Sequence, residues 1–218
     1  MSVKKNTVSF SVIRRLPRYY RFLGDLLASG VGRISSKELA ERMHLTASQI
    51  RQDLNCFGGF GQQGYGYNIH QLHREIGKII GVDHDLQAIL IGAGNLGQAI
   101  ATHMHFEKRG FTLTGIFDCD AQKVGRQVAG LQVQHSDDLS AFCAQRHPTI
   151  AILCIPKTAA AQVAESLVEL GITGFWNFSH YDLRVDHKNV VVENVHLGDS
   201  LLTLCYQATH NIHTPDFL

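Results

Sequence analysis

The sequence lacks any hydrophobic run long enough to cross a membrane. None of its apolar stretches approaches the ~20 residues that a membrane-spanning helix requires. The N-terminus MSVKKNTVSF also lacks the apolar core of a secretory signal. These absences disfavour a membrane protein and a secreted protein, so we expect a cytoplasmic protein with no membrane partner.

Cysteine is too scattered to predict a disulfide framework. The five cysteines are odd in number, widely spaced and mostly inside apolar runs, which is typical of reduced thiols in a core. Their spacing does not predict a zinc site, and the 13 histidines give no reason to add one. We therefore predict no metal. The cysteines are Cys56, Cys119, Cys143, Cys154 and Cys205.

The chain has almost no net charge, but its basic and acidic residues are unevenly distributed along it. The 218 residues carry 20 Lys and Arg against 19 Asp and Glu, a net charge of +1. Residues 1–81 hold 12 basic and 5 acidic side chains, an excess of +7, whereas residues 82–218 hold 8 and 14, an excess of −6. This division indicates that only the first part binds an anionic polymer such as nucleic acid. The length fits two small domains or one large one.

The basic segment begins with a predicted helical region over residues 7–29. Pro17 cannot donate to a preceding turn, so we predict two helical pieces with Pro17 at the first position of the second. Apolar residues at helical spacing form an inward stripe and leave the arginines mainly for the opposite face. The stripe is Tyr20, Leu23, Leu26 and Leu27, and the arginines are Arg14, Arg15, Arg18 and Arg21.

Two short helices with similar start signals follow and form a helix-turn-helix pattern. Ser35 precedes Glu38 by three residues in a capping-box arrangement, and Thr46 opens the second helix. The exposed face of that second helix suits the base edges of a DNA major groove. Short helix pairs are also common on ordinary protein surfaces, so the pattern alone leaves both interpretations open. The exposed residues are Ser48, Arg51, Gln52 and Asn55, and the inward ones are Ile50 and Leu54.

A glycine-rich stretch with interleaved aromatic residues spans residues 58–67. Because glycine tolerates positive φ, this segment suits a tight β-hairpin. A hairpin directly after a recognition helix is the wing of a winged helix, which lies along phosphates or the minor groove. The residues predicted to bind DNA therefore also include Gln62, Gln63 and Tyr65, together with Arg14 and Arg15.

The second part of the chain carries a dinucleotide-binding fingerprint in the required context. The apolar run over 87–92 leads into G-A-G-N-L-G, a helical stretch over 98–108 follows, and Asp118 ends the next apolar run. The three glycines allow a tight turn, close approach of a pyrophosphate, and close helix packing. We expect Asp118 to accept hydrogen bonds from ribose hydroxyls, which favours NAD(H) over NADP(H). A glycine motif without a ligand is the alternative. The loop is Gly92, Ala93, Gly94, Asn95, Leu96 and Gly97.

Strands and helices then alternate in the manner of a parallel sheet. Strands are predicted at 131–134, 149–155, 174–177 and 190–193, and helices at 137–145 and 158–170. The alternation predicts an α/β, doubly wound Rossmann fold. Pro156 ends a strand where such folds bind the far half of a dinucleotide, and an ordinary strand-ending proline is compatible with this.

The last predicted helix, over residues 194–209, has an apolar face. Such a face belongs either to the core of its own chain or to a contact with a partner chain. The pattern alone favours the core. The residues on this face are Leu197, Leu201, Leu204 and Cys205.

The two halves together resemble the bacterial Rex family of redox-sensing transcriptional repressors, from about Arg14 to Tyr206. The resemblance implies a homodimer that reads a palindromic operator in double-stranded DNA, binds NADH or NAD⁺, and releases DNA when NADH is bound. It also implies that the C-terminal helix is exchanged between subunits. This expectation replaces the burial of that helix in the core of its own chain. We expect domains over 1–81, 82–194 and 195–218. The matching segments are RRLPRYYRFL, SSKELAERM, QIRQDL, FGGFGQQGYGYN, LIGAGNLGQA, FDCDAQKVG, AILCIPKTAAAQ, NF and VVVENV.

Several positions depart from the family pattern. The family usually has cations where this chain has Gln52 and the Gln62–Gln63 pair, so we expect weaker phosphate attraction here. It usually has Tyr at the position of His103 and Asp at that of His196. The resemblance places both positions in a switch that also includes Arg21, and adds His103 to the cofactor site. Ser179-His180 likewise lacks the usual proline.

Two other functions stay open at this point. A dehydrogenase shares the nucleotide fingerprint, but a nucleotide fold that fills most of the second half leaves no room for a substrate domain. We therefore expect no enzyme activity. The other alternative is a DNA-binding relative whose redox sensing is altered or lost, which the histidines at the switch positions favour.

Overall fold

The computed structural model describes residues 8–58, 60–62, 65–183 and 190–210, with only the backbone of Gln62. These residues form two compact units, which divide between Asp83 and His84, and residues 207–210 group with the first. Within this part of the chain, no helix is both long and apolar enough to cross a membrane.

The first unit has the winged-helix architecture. Its described helices are α1 (Phe10–Ala28), α2 (Ser36–Met43), α3 (Ala47–Asn55) and α4 (Ile69–Ile80). Its strands are β1 (Arg33–Ile34), β2 (Gly61–Gln62) and β3 (Gly66–Asn68), paired antiparallel in the order β1-β3-β2. The predicted helix-turn-helix and the predicted hairpin are therefore confirmed. Helix α4 was not predicted from the sequence, although Asn68 caps its start and Gly81 its end.

The starts of α2 and α3 follow the predicted capping chemistry. Ser35 Oγ accepts the Glu38 N–H at 3.1 Å, and the Glu38 carboxylate accepts the Ser35 N–H at 2.8 Å. Thr46 Oγ1 accepts the Gln49 N–H at 3.1 Å, but the Gln49 side chain bonds to Asp53 instead of returning to the cap. The buried residues of the two helices include Leu39, Ala40, Met43, Ile50 and Leu54, as predicted.

The prediction of two helical pieces at Pro17 is wrong, because α1 is one continuous helix with Pro17 inside it. Pro17 removes only one backbone donor and is itself exposed. Leu16, Tyr19 and Leu23 are each fully buried, and α1 packs along α4. This burial holds the helix together across the proline. The buried stripe includes Tyr19, whereas the predicted Tyr20 is half-buried and stacks on His73.

The second unit is a doubly wound Rossmann fold. Its seven-stranded sheet has the order β10-β9-β8-β4-β5-β7-β6, and all neighbours are parallel except β6 with β7. The strands are β4 (Leu86–Ile91), β5 (Phe111–Asp118), β6 (Gln127–Val128), β7 (Leu131–His135), β8 (Ile150–Leu153), β9 (Gly174–Asn177) and β10 (Val191–Asn194). The described helices are α5 (Asn95–His103), α6 (Leu139–Arg146), α7 (Lys157–Glu169) and α8 (Leu197–His210).

The boundaries of α5 differ from the prediction of 98–108. The helix starts three residues earlier, at the glycine loop, and ends at His103. His105 takes a left-handed φ of 46°, which stops the helix, and a short 3-10 helix follows over Phe106–Arg109. The early start places the first turn of α5 directly at the glycine loop.

The pattern alone favours a C-terminal helix buried in the core of its own chain, and helix α8 contradicts this prediction. None of its described residues is buried. The apolar residues on its surface are exposed by 57 to 69% and comprise Leu197, Leu201, Leu202, Leu204 and Tyr206. An exposed apolar surface of this kind marks a site of contact with another protein or with a membrane.

Candidate functional site: a recognition helix and a glycine loop

The recognition helix α3 presents its predicted DNA-binding residues to solvent. Because Ile50 and Leu54 point into the core, the opposite face of the helix is exposed. Arg51 donates from Nη1 to Ser36 Oγ at 3.1 Å, which links α3 to the start of α2. The exposed side chains are Ser48, Arg51, Gln52 and Asn55. They suit hydrogen bonds to base edges and phosphates.

A buried carboxylate, Asp53, fixes α3 against α1. Arg15 donates two hydrogen bonds to it, from Nε and Nη2, each at 2.7 Å. The Tyr19 hydroxyl donates at 2.8 Å and the Gln49 amide at 2.7 Å. Burial acts to raise the pKa of Asp53, but the bonds from Arg15, Tyr19 and Gln49 hold that pKa below its ordinary value. The sequence analysis did not select Asp53.

The predicted arginines of α1 have different environments. Arg14 is exposed and lies 5.0 Å from the centre of the Phe10 ring, and Arg21 is also exposed. Arg15 is held by Asp53, and Arg18 donates to the Met43 carbonyl at 2.6 Å. Arg14 and Arg21 thus project into solvent, whereas Arg15 joins two helices. Its predicted DNA contact stays a prediction.

The wing is described in part. Gly61 pairs with Tyr67 and Gln62 with Gly66 in an antiparallel ladder. The Tyr65 side chain is 70% exposed at the turn, and its carbonyl accepts from Arg33 at 3.4 Å. The side chain of Gln62 and all of Gln63 lie outside the described residues, so their predicted contacts stay predictions.

The glycine loop of the second unit has the geometry that a dinucleotide requires. Gly92 has a φ of 100°, and a Cβ there would lie 2.4 Å from the Cys154 carbonyl oxygen. A Cβ at Gly97 would lie 1.9 Å from the Gly92 carbonyl oxygen. A Cβ at Gly94 would have no atom within 4 Å. The open space at Gly94 and the free amides at the start of α5 fit a pyrophosphate.

The acidic residue at the end of β5 is tied to this loop. Asp118 Oδ2 accepts the Ala93 N–H at 2.7 Å, and Oδ1 accepts the Asp120 N–H at 2.9 Å. Lys123 Nζ lies 3.1 Å from Oδ2. Burial acts to raise the pKa of Asp118, but the bonds from Asp120, Lys123 and Ala93 hold it below its ordinary value. The carboxylate therefore stays ionised, and its predicted contact with ribose hydroxyls stays a prediction.

The remaining candidate residues lie along the second unit. Pro156 is exposed and directly precedes α7, after the strand β8 that neighbours β4. Asn95 and Leu96 are exposed in the first turn of α5, and His103 is exposed in its last. His196 directly precedes α8. Its Nδ1 lies 2.9 Å from that of His180.

Two polar partners escaped the sequence analysis. Lys123 follows Asp118 by five residues in a short loop, and its salt bridge to Asp118 is local enough to be found from that spacing. The pair of His180 and His196 joins residues 16 apart through neighbouring strands, and no local pattern signals it. No group of three or more His, Cys, Asp and Glu in the described ranges is placed to hold a metal ion.

Family models match each part of the chain separately. The model described as "Putative DNA-binding protein N-terminus" matches residues 7–55, and the model described as "CoA binding domain" matches residues 83–181. A winged helix followed by a Rossmann domain with an open glycine loop defines a class of protein, the DNA-binding regulators that carry a nucleotide-binding domain.

Curated relatives identify the family within this class. The protein named redox-sensing transcriptional repressor Rex from Caldanaerobacter subterraneus subsp. tengcongensis is 55% identical, over 94% of this chain and 91% of the relative. The protein of the same name from Clostridioides difficile is 54% identical, over 91% of this chain and 94% of the relative. The Clostridium perfringens protein of that name is 50% identical over 95% of this chain and 98% of its own length. The chain belongs to the Rex family.

Solved structures agree with this assignment. The structure of RSP in complex with β-NAD⁺ and operator DNA matches with a TM-score of 0.88 and 52% identity, and 95% of each chain is covered. The structure of RSP in complex with β-NADH matches with a TM-score of 0.86 and 49% identity, over 95% of this chain and 97% of that one. A further matching structure is that of RSP, which is described as a Rex-family repressor.

Proposed function

We propose that this chain is a redox-sensing transcriptional repressor that binds operator DNA through its winged helix and NADH or NAD⁺ through its Rossmann domain. NADH binding favours release from DNA. The observation that carries this proposal is that one chain combines an exposed recognition helix with a glycine loop open at Gly94. RSP, a 52% identical protein solved with β-NAD⁺ and operator DNA, supports both ligands.

Ligand binding controls DNA binding only if the two nucleotides differ in their affinity for the DNA-bound state. We infer that the switch uses Arg21, His103 and His196. The last two carry imidazoles where the family usually has Tyr and Asp. An imidazolium cannot accept a hydrogen bond from an arginine as a carboxylate does. We therefore propose that this member responds to the NADH/NAD⁺ ratio with a different amplitude from its relatives.

The test is a binding titration on DNA selected by the protein itself. A 30-base-pair fluorescent duplex drawn from a randomised pool is bound by the chain, and NADH and NAD⁺ are added in separate experiments. Release by NADH alone supports the sensor. Indifference to both nucleotides contradicts it and indicates lost sensing. Equal NADH-driven release by this chain and by the Clostridioides difficile relative on its own selected DNA contradicts the altered amplitude.

We further propose a homodimer in which α8 is exchanged between subunits. The exposed apolar side chains of α8 support it, since they lack burial within the described chain. The sheet of the second unit offers a second apolar surface, a groove of 390 Å³ that includes Ile150, Trp176 and Val191. Val191 is 75% exposed. Covering both surfaces removes apolar area from water.

Replacing Leu201 by aspartate is expected to dissociate this dimer. An aspartate in a buried apolar contact is desolvated without a partner, which strongly disfavours association. Sedimentation velocity at micromolar concentration should show a dimer for the wild type and a monomer for Leu201→Asp. Thr203→Asp, on the opposite face of α8, is the matched control and should remain dimeric. A dimer for both variants contradicts the role of α8.

Replacing Gln52 by lysine is expected to steepen the salt dependence of DNA binding. Each additional phosphate contact raises the slope of log K against log salt concentration by about 0.9, so a dimer gains about 1.8. The slope is measured by fluorescence anisotropy between 50 and 300 mM salt, with Gln71→Lys on α4 as the exposed control. An unchanged slope for Gln52→Lys means that residue 52 does not contact a phosphate.

We infer that the chain has no enzymatic activity. The relatives that match over nearly its whole length are named repressors. The thiol of Cys154, a residue whose carbonyl oxygen lies against the glycine loop, is also unsuited to nucleophilic chemistry, since burial raises its pKa to about 12. A turnover assay with NADH and small carbonyl compounds tests this inference.

We propose domain limits of 1–81, 82–194 and 195–218. The matches to residues 7–55 and 83–181 and the division after Asp83 support the first limit. Residues 211–218 lie outside the described chain. A DNA-binding role supports the cytoplasm as the compartment of the protein.

A further inference from the structure

Two histidines meet at the carboxyl edge of the sheet, where β9 and β10 end. The strands pair in parallel, with Asn177 opposite Asn194 as the last register pair. Three residues beyond β9 and two beyond β10, His180 and His196 bring their Nδ1 atoms to 2.9 Å. Their ring centroids are 5.1 Å apart, and the ring planes differ by 24°. This contact joins the loop after β9 to the residue that precedes α8.

A buried asparagine builds this contact. Asn177 is fully buried, and its Nδ2 donates to the Tyr181 carbonyl at 2.6 Å and to Asn194 Oδ1 at 2.9 Å. Its Oδ1 accepts from the Ser179 N–H and hydroxyl, at 3.0 and 2.5 Å. The loop is thereby fixed, and His180 takes a left-handed φ of 61°, a conformation that few non-glycine residues adopt, although histidine is among those that adopt it more often. The position of His180 is therefore imposed by its surroundings.

The number of protons on the pair decides whether the contact holds. With no excess proton, one Nδ1–H donates to the other Nδ1. With one excess proton, the imidazolium donates to the neutral ring, and the bond is charge-assisted and stronger. With two excess protons, both nitrogens are donors, no acceptor is left and the rings repel. Interacting groups of this kind titrate as a pair in two steps.

We propose that His180 and His196 form a proton-sensitive contact that fixes the start of α8 near neutral pH and releases it on acidification. This rests on the proposed function, because α8 is the helix assigned to the subunit contact and His196 is assigned to the switch. The chain then responds to acidity as well as to the NADH/NAD⁺ ratio. Histidine is the side chain whose ordinary titration falls in the required range, between pH 5 and 8.

Other titratable groups lie near the pair along the chain and on the neighbouring elements. The loop after β9 carries Tyr181 and Asp182, and the residues around the start of α8 include Glu193 and Asp199. From the neighbouring strand β8 and helix α7, Cys154 and Lys157 lie at the same edge of the sheet. Asp199 also donates its N–H to the His196 carbonyl at 3.1 Å.

The direct test is hydrogen exchange of the amides of residues 197–200 in the full chain, in EDTA, between pH 5.5 and 8 after correction for intrinsic rates. Wild-type protection should fall about tenfold on acidification, the effect of losing one charge-assisted hydrogen bond. His180→Asn tolerates the left-handed φ and cannot be protonated, so its protection should not change with pH. His147→Asn is the matched control, since His147 is also exposed with a φ of 48°. It should behave as the wild type does.

A second variant reverses the sign of the effect. In His196→Asp, a carboxylate faces His180, and protonation of His180 then creates an ion pair. Protection of residues 197–200 should therefore rise on acidification where the wild type falls. Flat wild-type protection, or a fall of equal size in both His196→Asp and the wild type, overturns the proposal.

Calorimetric titration with NADH over the same pH range separates this proposal from the proposed function. We expect NADH affinity to vary with pH about threefold or more in the wild type and in His147→Asn, and to be flat in His180→Asn, because the histidine contact includes His196, which is placed in the proposed switch. Absence of NADH binding at every pH contradicts the proposed function. The pH profile of hydrogen exchange still tests the contact between His180 and His196 in that case. If NADH binding has the same pH profile in the wild type and in His180→Asn, only the coupling between the histidine contact and NADH binding is contradicted.

Discussion

Replacement of Gly97 by alanine is expected to destabilise the second unit by about 3 kcal/mol or more and to abolish NADH binding. The Cβ of alanine would lie 1.9 Å from the Gly92 carbonyl oxygen and 3.1 Å from Leu90 Cδ2. The oxygen belongs to the backbone of the glycine loop, so it cannot turn away as a side chain does. Helix α5 must therefore move off the sheet. Urea unfolding followed by circular dichroism measures the loss of stability.

Gly94→Ala is the matched control for this variant and separates folding from binding. Its Cβ meets no protein atom within 4 Å, and the φ of −75° at Gly94 is available to alanine. The fold should therefore be retained. NADH affinity should still fall by roughly 10- to 100-fold, because the added methyl group occupies the space where the pyrophosphate approaches the backbone. Unchanged NADH affinity in Gly94→Ala would mean that the dinucleotide does not lie on this loop.

Asp53→Asn is expected to lower the free energy of unfolding of the first unit by about 2–4 kcal/mol. Four donor groups converge on the Asp53 carboxylate, two from Arg15 and one each from Tyr19 and Gln49. An asparagine has one acceptor oxygen and points its own N–H groups at some of these donors. The Arg15 side chain is 22% exposed and can turn to solvent, which keeps the effect below that of a fully buried pair. Operator affinity should fall as well, because α3 is held through this residue.

The pH dependence of stability provides a second readout for Asp53. Its pKa in the folded chain is below the ordinary value, so its contribution is complete above the unfolded value of about 3.9 and is lost as the pH falls through the folded value. Asp53→Asn should remove this part of the acid sensitivity. Asp25→Asn, an exposed carboxylate on α1, should change stability by less than about 0.5 kcal/mol. Equal effects in the two variants would contradict the structural role of Asp53.

Local signals in the sequence predicted most of the elements that carry the site. The capping box at Ser35 and Glu38 and the glycine loop between β4 and α5 are decided by hydrogen bonds and steric contacts within a few residues. Alternation of strands and helices likewise predicted the parallel sheet, because a parallel pair needs a crossover. The prediction of the α5 termini was less accurate, since the left-handed turn at His105 has no strong sequence signal.

Residues far apart in the sequence decided what the pattern could not. Arg15 was predicted to contact DNA on the basis of its charge, and that contact stays a prediction. The fold of the first unit brings the Arg15 side chain to Asp53, 38 residues away. The burial of α1, which packs along α4, keeps this helix continuous through Pro17, against the local preference for a break. Local propensity gave way in each case to burial and ion pairing that depend on how the helices pack.

The sequence by itself determined that a basic DNA-binding unit precedes an acidic Rossmann unit with a glycine loop, because charge, periodicity and glycine spacing are local properties. Only the tertiary structure decided that Asp53 fixes α3, that His180 meets His196, and that none of the described residues of α8 is buried. These features depend on which elements lie side by side and on the register of β9 with β10. That register follows from the burial of the whole sheet and is not encoded in any single segment.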